Sequence, residues 1–199
     1  MKKIITILIL AVCSLATWAS AEEQTPEQII EQTSTELLKI INEQSDRIKS
    51  KEGYVNQVIN DLILPVIDLQ SMGKLILGKH WKTASEEQRT QFIAQFKSML
   101  VRTYAKSVAD YGDAKVKVFP YKGDKKGKRH RVKSQLSIGS GTPLQVDYVF
   151  RRKDDSWKVF DLVVDGLSLI KNFRTSFSQE ISETSLDALI ERLASTNVS

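Results

Sequence analysis

The sequence predicts an α+β domain: helices at both ends of the chain, with a four-stranded antiparallel curved sheet between them. Apolar residues recur every three or four positions up to Gly112, every second position from there to Val164, and at helical spacing again after Ser168. The 199 residues allow one good-sized domain, and a hydrophobic share of 41% is enough to pack it. With 9 Gly, 4 Pro and 1 Cys, collagen-like, disordered and disulfide-scaffold classes are excluded. A polytopic membrane protein is excluded as well, because the one long apolar run lies in the first twenty residues.

That run follows Met1-Lys2-Lys3, extends from Ile4 to Trp18 and ends in Ala19-Ser20-Ala21. A basic start, an apolar middle and an Ala-x-Ala end read as a secretory signal peptide over residues 1–21, with 22–199 as the exported domain. Cleavage after Ala21 leaves 178 residues and takes Lys2, Lys3 and Cys13 with it, so 27 basic residues face 24 acidic ones. Without a cysteine, the exported chain has neither a disulfide nor a thiolate for structure, metal binding or catalysis.

Thr25-Pro26-Glu27-Gln28 opens a helix: Thr caps, Pro takes the first helical position and Gln stands three after the cap. Ile29, Ile30, Thr33, Leu37, Ile40 and Ile41 form its stripe, running towards Ser50. Tyr54, Val55, Val58, Ile59, Leu62 and Ile63 mark a second helix that ends at Leu64-Pro65. A third runs from Asp68 to Gly78 through Leu69, Met72, Leu75 and Ile76. Ser85-Glu86-Glu87-Gln88 is another capping box, opening a long helix with Phe92, Phe96, Met99, Leu100, Tyr104, Val108 and Tyr111 on one side.

Val116 and Val118 then alternate with lysines, as do Val132, Leu136 and Ile138 with polar residues, and Leu144, Val146, Tyr148 and Phe150 with Gln145, Asp147 and Arg151. These are half-buried strands of a meander. The fourth strand, Trp157 to Val164, is apolar on both sides. Strict alternation sends Trp157, Val159 and Val163 one way and Phe160, Leu162 and Val164 the other. Asp165-Gly166 ends it, Ser168 caps a helix through Ile170, Phe173 and Phe177, and a last helix carries Leu186, Leu189, Ile190 and Leu193.

Catalytic and metal-binding patterns are missing. His80 and His130 sit in no ligand spacing, and no nucleophile elbow or phosphate loop is present. Asp161 and Asp165 bracket the end of the doubly apolar strand, and two carboxylates beside an apolar pocket can act as an acid–base pair. The plainer reading has Asp165 turning the chain and Asp161 pairing with a nearby Lys or Arg. The basic run from Lys122 to Lys133 reads as a solvated hairpin tip, with anionic headgroups or an acidic partner as second choice. Export argues against nucleic acid. A strand greasy on both faces needs a second cover: terminal helices, a partner or an apolar ligand. Each methylene hidden from water contributes about 0.8 kcal/mol, so an acyl chain strongly prefers such a cavity.

Three segments together resemble the MlaC family of periplasmic phospholipid-binding proteins, also called the toluene-tolerance family. They are Leu64-Pro65-Val66-Ile67-Asp68 with Leu75-Ile76-Leu77-Gly78-Lys79-His80-Trp81; Gln88-Arg89 with Phe92, Phe96, Leu100 and Tyr104; and Trp157 through Ile170 with Asn172-Phe173-Arg174 and Phe177. Asp165-Gly166-Leu167 stands where Glu-Gly-Val is common in such proteins. The resemblance implies a periplasmic carrier, not an enzyme and with no cofactor, whose cargo is a glycerophospholipid. Its implied partners are an outer-membrane lipoprotein–porin complex and an inner-membrane ABC transporter with an MCE-domain subunit, and its role is to maintain outer-membrane lipid asymmetry. The expected lining is Met72, Leu75, Ile76, Trp81, Phe96, Leu100, Leu144, Val146, Tyr148, Phe160, Leu162, Val164, Leu167 and Ile170, though core packing suits each equally. A small NTF2-like enzyme with Asp161 or Asp165 as base is the alternative, and an adaptor docking a partner on its apolar strand a third.

Overall fold

The computed structural model describes residues 24–51, 53–109, 112–121 and 127–195. The expected signal peptide and the tip of the basic run, 122–126, lie outside the described residues.

Helix α1 (Pro26–Glu43) begins as its capping box dictates: the Gln28 amide donates to Thr25 Oγ1 at 3.3 Å and the Thr25 amide to Gln28 Oε1 at 2.8 Å. The expected single helix to Ser50 breaks at Gln44 (φ −120°, ψ 27°), and α2 (Ser45–Ser50) follows. Gln44 Oε1 accepts a hydrogen bond from the Tyr54 hydroxyl, which ties the break to α3 (Tyr54–Val58). Downstream the helix widens into a π turn over Ile59–Ile63 and then tightens to a 3₁₀ turn over Leu64–Val66. Pro65 accounts for the loss of regular helix, since it has no N–H and its ring crowds the carbonyl four residues back.

Asp68 caps α4 (Leu69–Leu77) by accepting from the Ser71 amide at 3.0 Å. Gly78 turns the chain with φ 53° and ψ −112°, a region open essentially to glycine. A short α5 (Lys79–Thr83) leads to α6 (Glu86–Ala109), which starts at the Ser85–Gln88 capping box. The sheet is a meander of order β1-β2-β3-β4-β5: β1 Lys115–Val118, β2 Arg129–Ser137, β3 Leu144–Lys153, β4 Ser156–Val164 and β5 Leu167–Ser168. The sheet therefore has five strands rather than four, the fifth being a two-residue return after the Asp165-Gly166 turn. Ser168 caps α7 (Leu169–Glu183) and Ser185 caps α8 (Leu186–Ser195).

Two apolar layers flank the sheet. On one side Met72, Ile76, Leu77, Phe92, Phe96, Ile170, Phe177, Leu189 and Leu193 of α4, α6, α7 and α8 pack against Phe160. Phe92 and Phe96 stack at 5.8 Å, and Phe177 meets both rings edge-on. On the other side Ile29 and Ile30 of α1 cover Val132, Phe150, Trp157 and Val159. Tyr104, expected in the buried stripe of α6, is 45% exposed.

The expected alternation along β4 does not hold. Val149 pairs with Asp161 but Phe150 with Val159, so Phe160 is an extra residue in a β-bulge. The bulge shifts the phase by one, and Leu162 joins Trp157 and Val159 on the α1 side, while Phe160 packs into the helical core. Strand β4 is greasy on both faces because the sheet is covered on both faces.

Candidate functional site

The stripe of α1 carries two hydroxyl residues in its middle. Ile30, Leu37, Leu38 and Ile41 reach the sheet side, and between them Thr33 and Ser34 occupy places where a leucine would fill the gap. Ser34 Oγ turns back to donate to the Ile30 carbonyl at 2.6 Å, so its polarity is satisfied within the helix. Across from them, Val116, Leu136, Tyr148, Val159 and Leu162 of the sheet form the floor. Ile63 of the π turn, Val66 of the 3₁₀ turn and Ile67, which follows them and bridges to Val159, form one wall, and Ala114 adds another small side chain. The result is a hollow of about 230 Å³ whose lining is almost wholly apolar. Its one phenol, Tyr148, is pushed above its ordinary value of 10.0 by burial, against the pull of the Ser134 hydroxyl, and stays neutral.

A hydrogen bond fastens the start of α1 over this floor. Glu27 Oε1 lies 2.7 Å from His130 Nε2, and His130 is only 5% exposed. Expected in a solvated strand entrance, His130 is instead held in the β2 layer by the Tyr121 ring at 3.6 Å and the edge of Trp157 at 5.8 Å. Burial works to raise the Glu27 carboxyl, but hydrogen bonds from His130 and from its own backbone outweigh it and hold the group below its ordinary range.

The sequence-predicted lining falls into three groups. Tyr148 and Leu162 line the hollow. Leu144 and Val146 of β3 continue the same face, with Val164 opposite Val146 and Leu167 opposite Val164; Val164 and Leu167 are exposed, Leu167 at 77%. Met72, Ile76, Phe96, Phe160 and Ile170 are packed in the helical core on the opposite side, with Leu75, Trp81 and Leu100 against them. The residues that sequence reasoning passed over are those of α1 and of the π and 3₁₀ turns. A signal was present in the Ile30, Thr33, Leu37, Ile41 stripe, whose one hydroxyl member, Thr33, marks a face that packs incompletely.

Neither candidate base reaches the hollow. Asp161 accepts from Ser168 Oγ at 2.7 Å and from the Ile170 amide at 3.1 Å, which secures the start of α7, rather than pairing with a Lys or Arg. Asp165, at φ 47°, accepts from the Gln145 amide at 3.0 Å and holds the turn. His80 lies against Ser178 at 3.3 Å, and burial, helped by Lys79, lowers it. Among the described residues no group of three His, Cys, Asp or Glu is placed to hold a metal ion, and no helix is long and apolar enough to cross a membrane.

An antiparallel meander with α1 across one face, four helices packed on the other and an apolar hollow beneath α1 places the chain among α+β domains whose sheet is covered on both faces. The chain belongs to the MlaC family, whose profile matches residues 31–195. It is 25% identical over 198 residues to the intermembrane phospholipid transport system binding protein MlaC of Haemophilus influenzae, covering 97% of this chain and 92% of that protein. To the toluene tolerance protein of Pseudomonas putida it is 29% identical over 182 residues, 91% of this chain and 83% of the relative. The fold superimposes with a TM-score of 0.81 on a phospholipid-binding protein from Ralstonia solanacearum, solved in complex with a phospholipid, at 25% identity over 87% of this chain and 97% of that one.

Proposed function

We propose that this chain binds a glycerophospholipid by its acyl chains in the hollow between α1 and the sheet, and carries it through the periplasm. In this reading residues 1–21 are removed on export and residues 22–199 form the carrier. Cargo passes between an outer-membrane lipoprotein–porin complex and an inner-membrane ABC transporter with an MCE-domain subunit, which keeps phospholipid out of the outer leaflet. The observation that carries the reading is the hollow itself, almost wholly apolar and roofed by a helix with hydroxyl residues in place of core leucines.

Energetics favour hydrocarbon there. Each methylene moved from water into the hollow contributes about 0.8 kcal/mol, and the Ser34 and Tyr148 hydroxyls of the lining already have partners within the protein. At about 230 Å³ the hollow is smaller than the roughly 300–1,000 Å³ typical of pockets that bury a drug-sized molecule. A two-tailed cargo therefore requires α1 and the π and 3₁₀ turns to move away from the sheet. The π and 3₁₀ turns are the least regular part of this layer, and α1 is separated from them by the break at Gln44.

Protein purified from the periplasm without detergent, extracted with organic solvent and analysed by mass spectrometry, releases near-stoichiometric diacyl phospholipid in this account. Protein that carries no lipid and takes none up from phospholipid vesicles refutes it.

A further inference from the structure

A second concave surface, on the helical side of the molecule, has a different chemistry. Lys74 of α4, Lys79 and Lys82 of α5, Arg151 of β3 and Arg174 of α7 converge on a groove of about 510 Å³. No carboxylate stands among its lining residues. Among the described residues only Arg151 of these five has an acidic neighbour: its Nε is 3.8 Å from Asp68, and its Nη1 donates to Ser71 Oγ at 2.7 Å. Lys74 in the last turn of α4 suits the helix dipole, but that does not explain cations arriving from three other elements.

The wall between these charges is apolar and fixed. Leu75 and Trp81 line it, and Trp81 is anchored by Arg89, whose Nε donates to the Trp81 carbonyl at 3.0 Å while its guanidinium lies 5.3 Å from the indole centroid. Gly78 lets Arg174 lie against the backbone; a Cβ there would stand 2.8 Å from Arg174 Nη2. A concave site with unpaired positive charge focuses its field outward and selects anions. A membrane presents headgroups on a broad surface that does not enter a groove, and a lone phosphate leaves the apolar wall uncovered. An acidic chain segment with one apolar side chain meets both.

We propose that this groove docks an acidic segment of a partner protein, its carboxylates on Lys74, Lys79, Lys82 and Arg174 and an apolar side chain against Trp81 and Leu75. The proposal deepens the carrier reading and rests on it only for the need of a partner. The groove lies across the sheet from the hollow, so docking and cargo use different faces.

The test is a titration of the full exported chain with a fluorescein-labelled peptide of Glu, Ala and Leu, followed by anisotropy and by the Trp81 indole N–H resonance. Two double variants, Lys74→Glu with Arg174→Glu and Lys79→Glu with Lys82→Glu, are compared with Lys115→Glu plus Lys117→Glu on β1, which changes net charge equally. The proposal expects both groove variants to weaken binding about tenfold or more, the β1 variant to change it by less than about twofold, and the Trp81 resonance to shift on peptide addition. The α5 pair keeps the test decisive if reversing Arg174 disturbs its seat on Gly78. Equal losses in all three variants overturn the proposal, because the charge then acts diffusely. Absence of peptide binding alongside groove-dependent binding to phosphatidylglycerol vesicles also overturns it, in favour of a membrane. Extracted lipid, measured in the same samples, reports on the carrier reading alone: its absence with peptide binding intact refutes the carrier and leaves the groove standing.

Discussion

Leu162 and Ile76 are isomeric residues on opposite sides of the sheet, and that makes them a matched pair. Leu162 is half-buried and forms part of the floor of the hollow, whereas Ile76 is fully buried among Met72, Phe92 and Phe96. Changing either to Trp adds the same atoms. At Ile76 there is nowhere for the indole to go, and overpacking costs about 1–3 kcal/mol. For a chain of this length that lowers Tm by roughly 3–9 °C, at about 3 °C per kcal/mol. At Leu162 the ring enters a space of about 230 Å³ and gains dispersion contacts, so stability stays level or rises by about 1 kcal/mol. The same ring occupies the volume that the cargo needs. Thermal unfolding and phospholipid per protein, measured on both variants, should therefore move in opposite senses: Leu162→Trp stable and empty, Ile76→Trp less stable and loaded. If both variants lose stability equally and keep their lipid, the hollow is not where the hydrocarbon lies.

Acid stability follows from two carboxyls that the fold holds low. Glu27 and Asp68 both titrate below their ordinary values of 4.5 and 3.8: burial raises each, but hydrogen bonds from His130 to Glu27 and from Ser71 and Lys153 to Asp68 outweigh it. The folded state therefore binds fewer protons than the unfolded chain. This stability is complete above the unfolded values and drains as pH falls through the folded ones, so Glu27→Gln should flatten the acid limb of a stability–pH curve below about pH 5. Asp68→Ala should cost about 1–2 kcal/mol in denaturant titrations, because it removes the α4 cap and the hydrogen bonds that the buried carboxylate accepts from Ser71. Gly78→Ala should lose about 1–3 kcal/mol, since it forces a Cβ onto a φ of 53° and displaces Arg174. Asp161→Asn should lower Tm by a few degrees yet leave bound lipid unchanged, because its oxygens serve Ser168 and Ile170 rather than the hollow.

Much of the fold is written locally. Thr25-Pro26-Glu27-Gln28, Ser85 to Gln88, Asp68 and Ser168 each start the helix their spacing announces, because a cap satisfies amides within a single turn and needs no distant partner. The period-two runs from Val116 to Val164 likewise become the meander, since alternation and a tight turn are enough to pair neighbours; between β3 and β4 that turn has no Gly or Pro, and Asp154 and Asp155 take the positive φ instead. The site was harder to read because it depends on long-range placement. The bulge at Phe160 arises from how β4 pairs with β3, and it moves Leu162 to the face that alternation had given to Trp157 and Val159. The roof of the hollow comes from α1, more than a hundred residues away in sequence, and Glu27 meets His130 over the same distance. Nothing in the local sequence around His130 announces that partner; its basic surroundings point towards solvent. Met72, Ile76 and Phe96 look as greasy as any lining residue, and only the crossing of α4, α6 and α7 decides that they close on one another.

The central claim is that hydrocarbon lies between α1 and the sheet. A phospholipid with a diazirine near the end of one acyl chain, loaded from vesicles, irradiated and mapped by peptide mass spectrometry, addresses this directly. Adducts should fall on residues 33–41 of α1 and on the Tyr148 and Leu162 segments of β3 and β4. Adducts confined to α4, α6 and α7, or scattered over the outer surface, would contradict it.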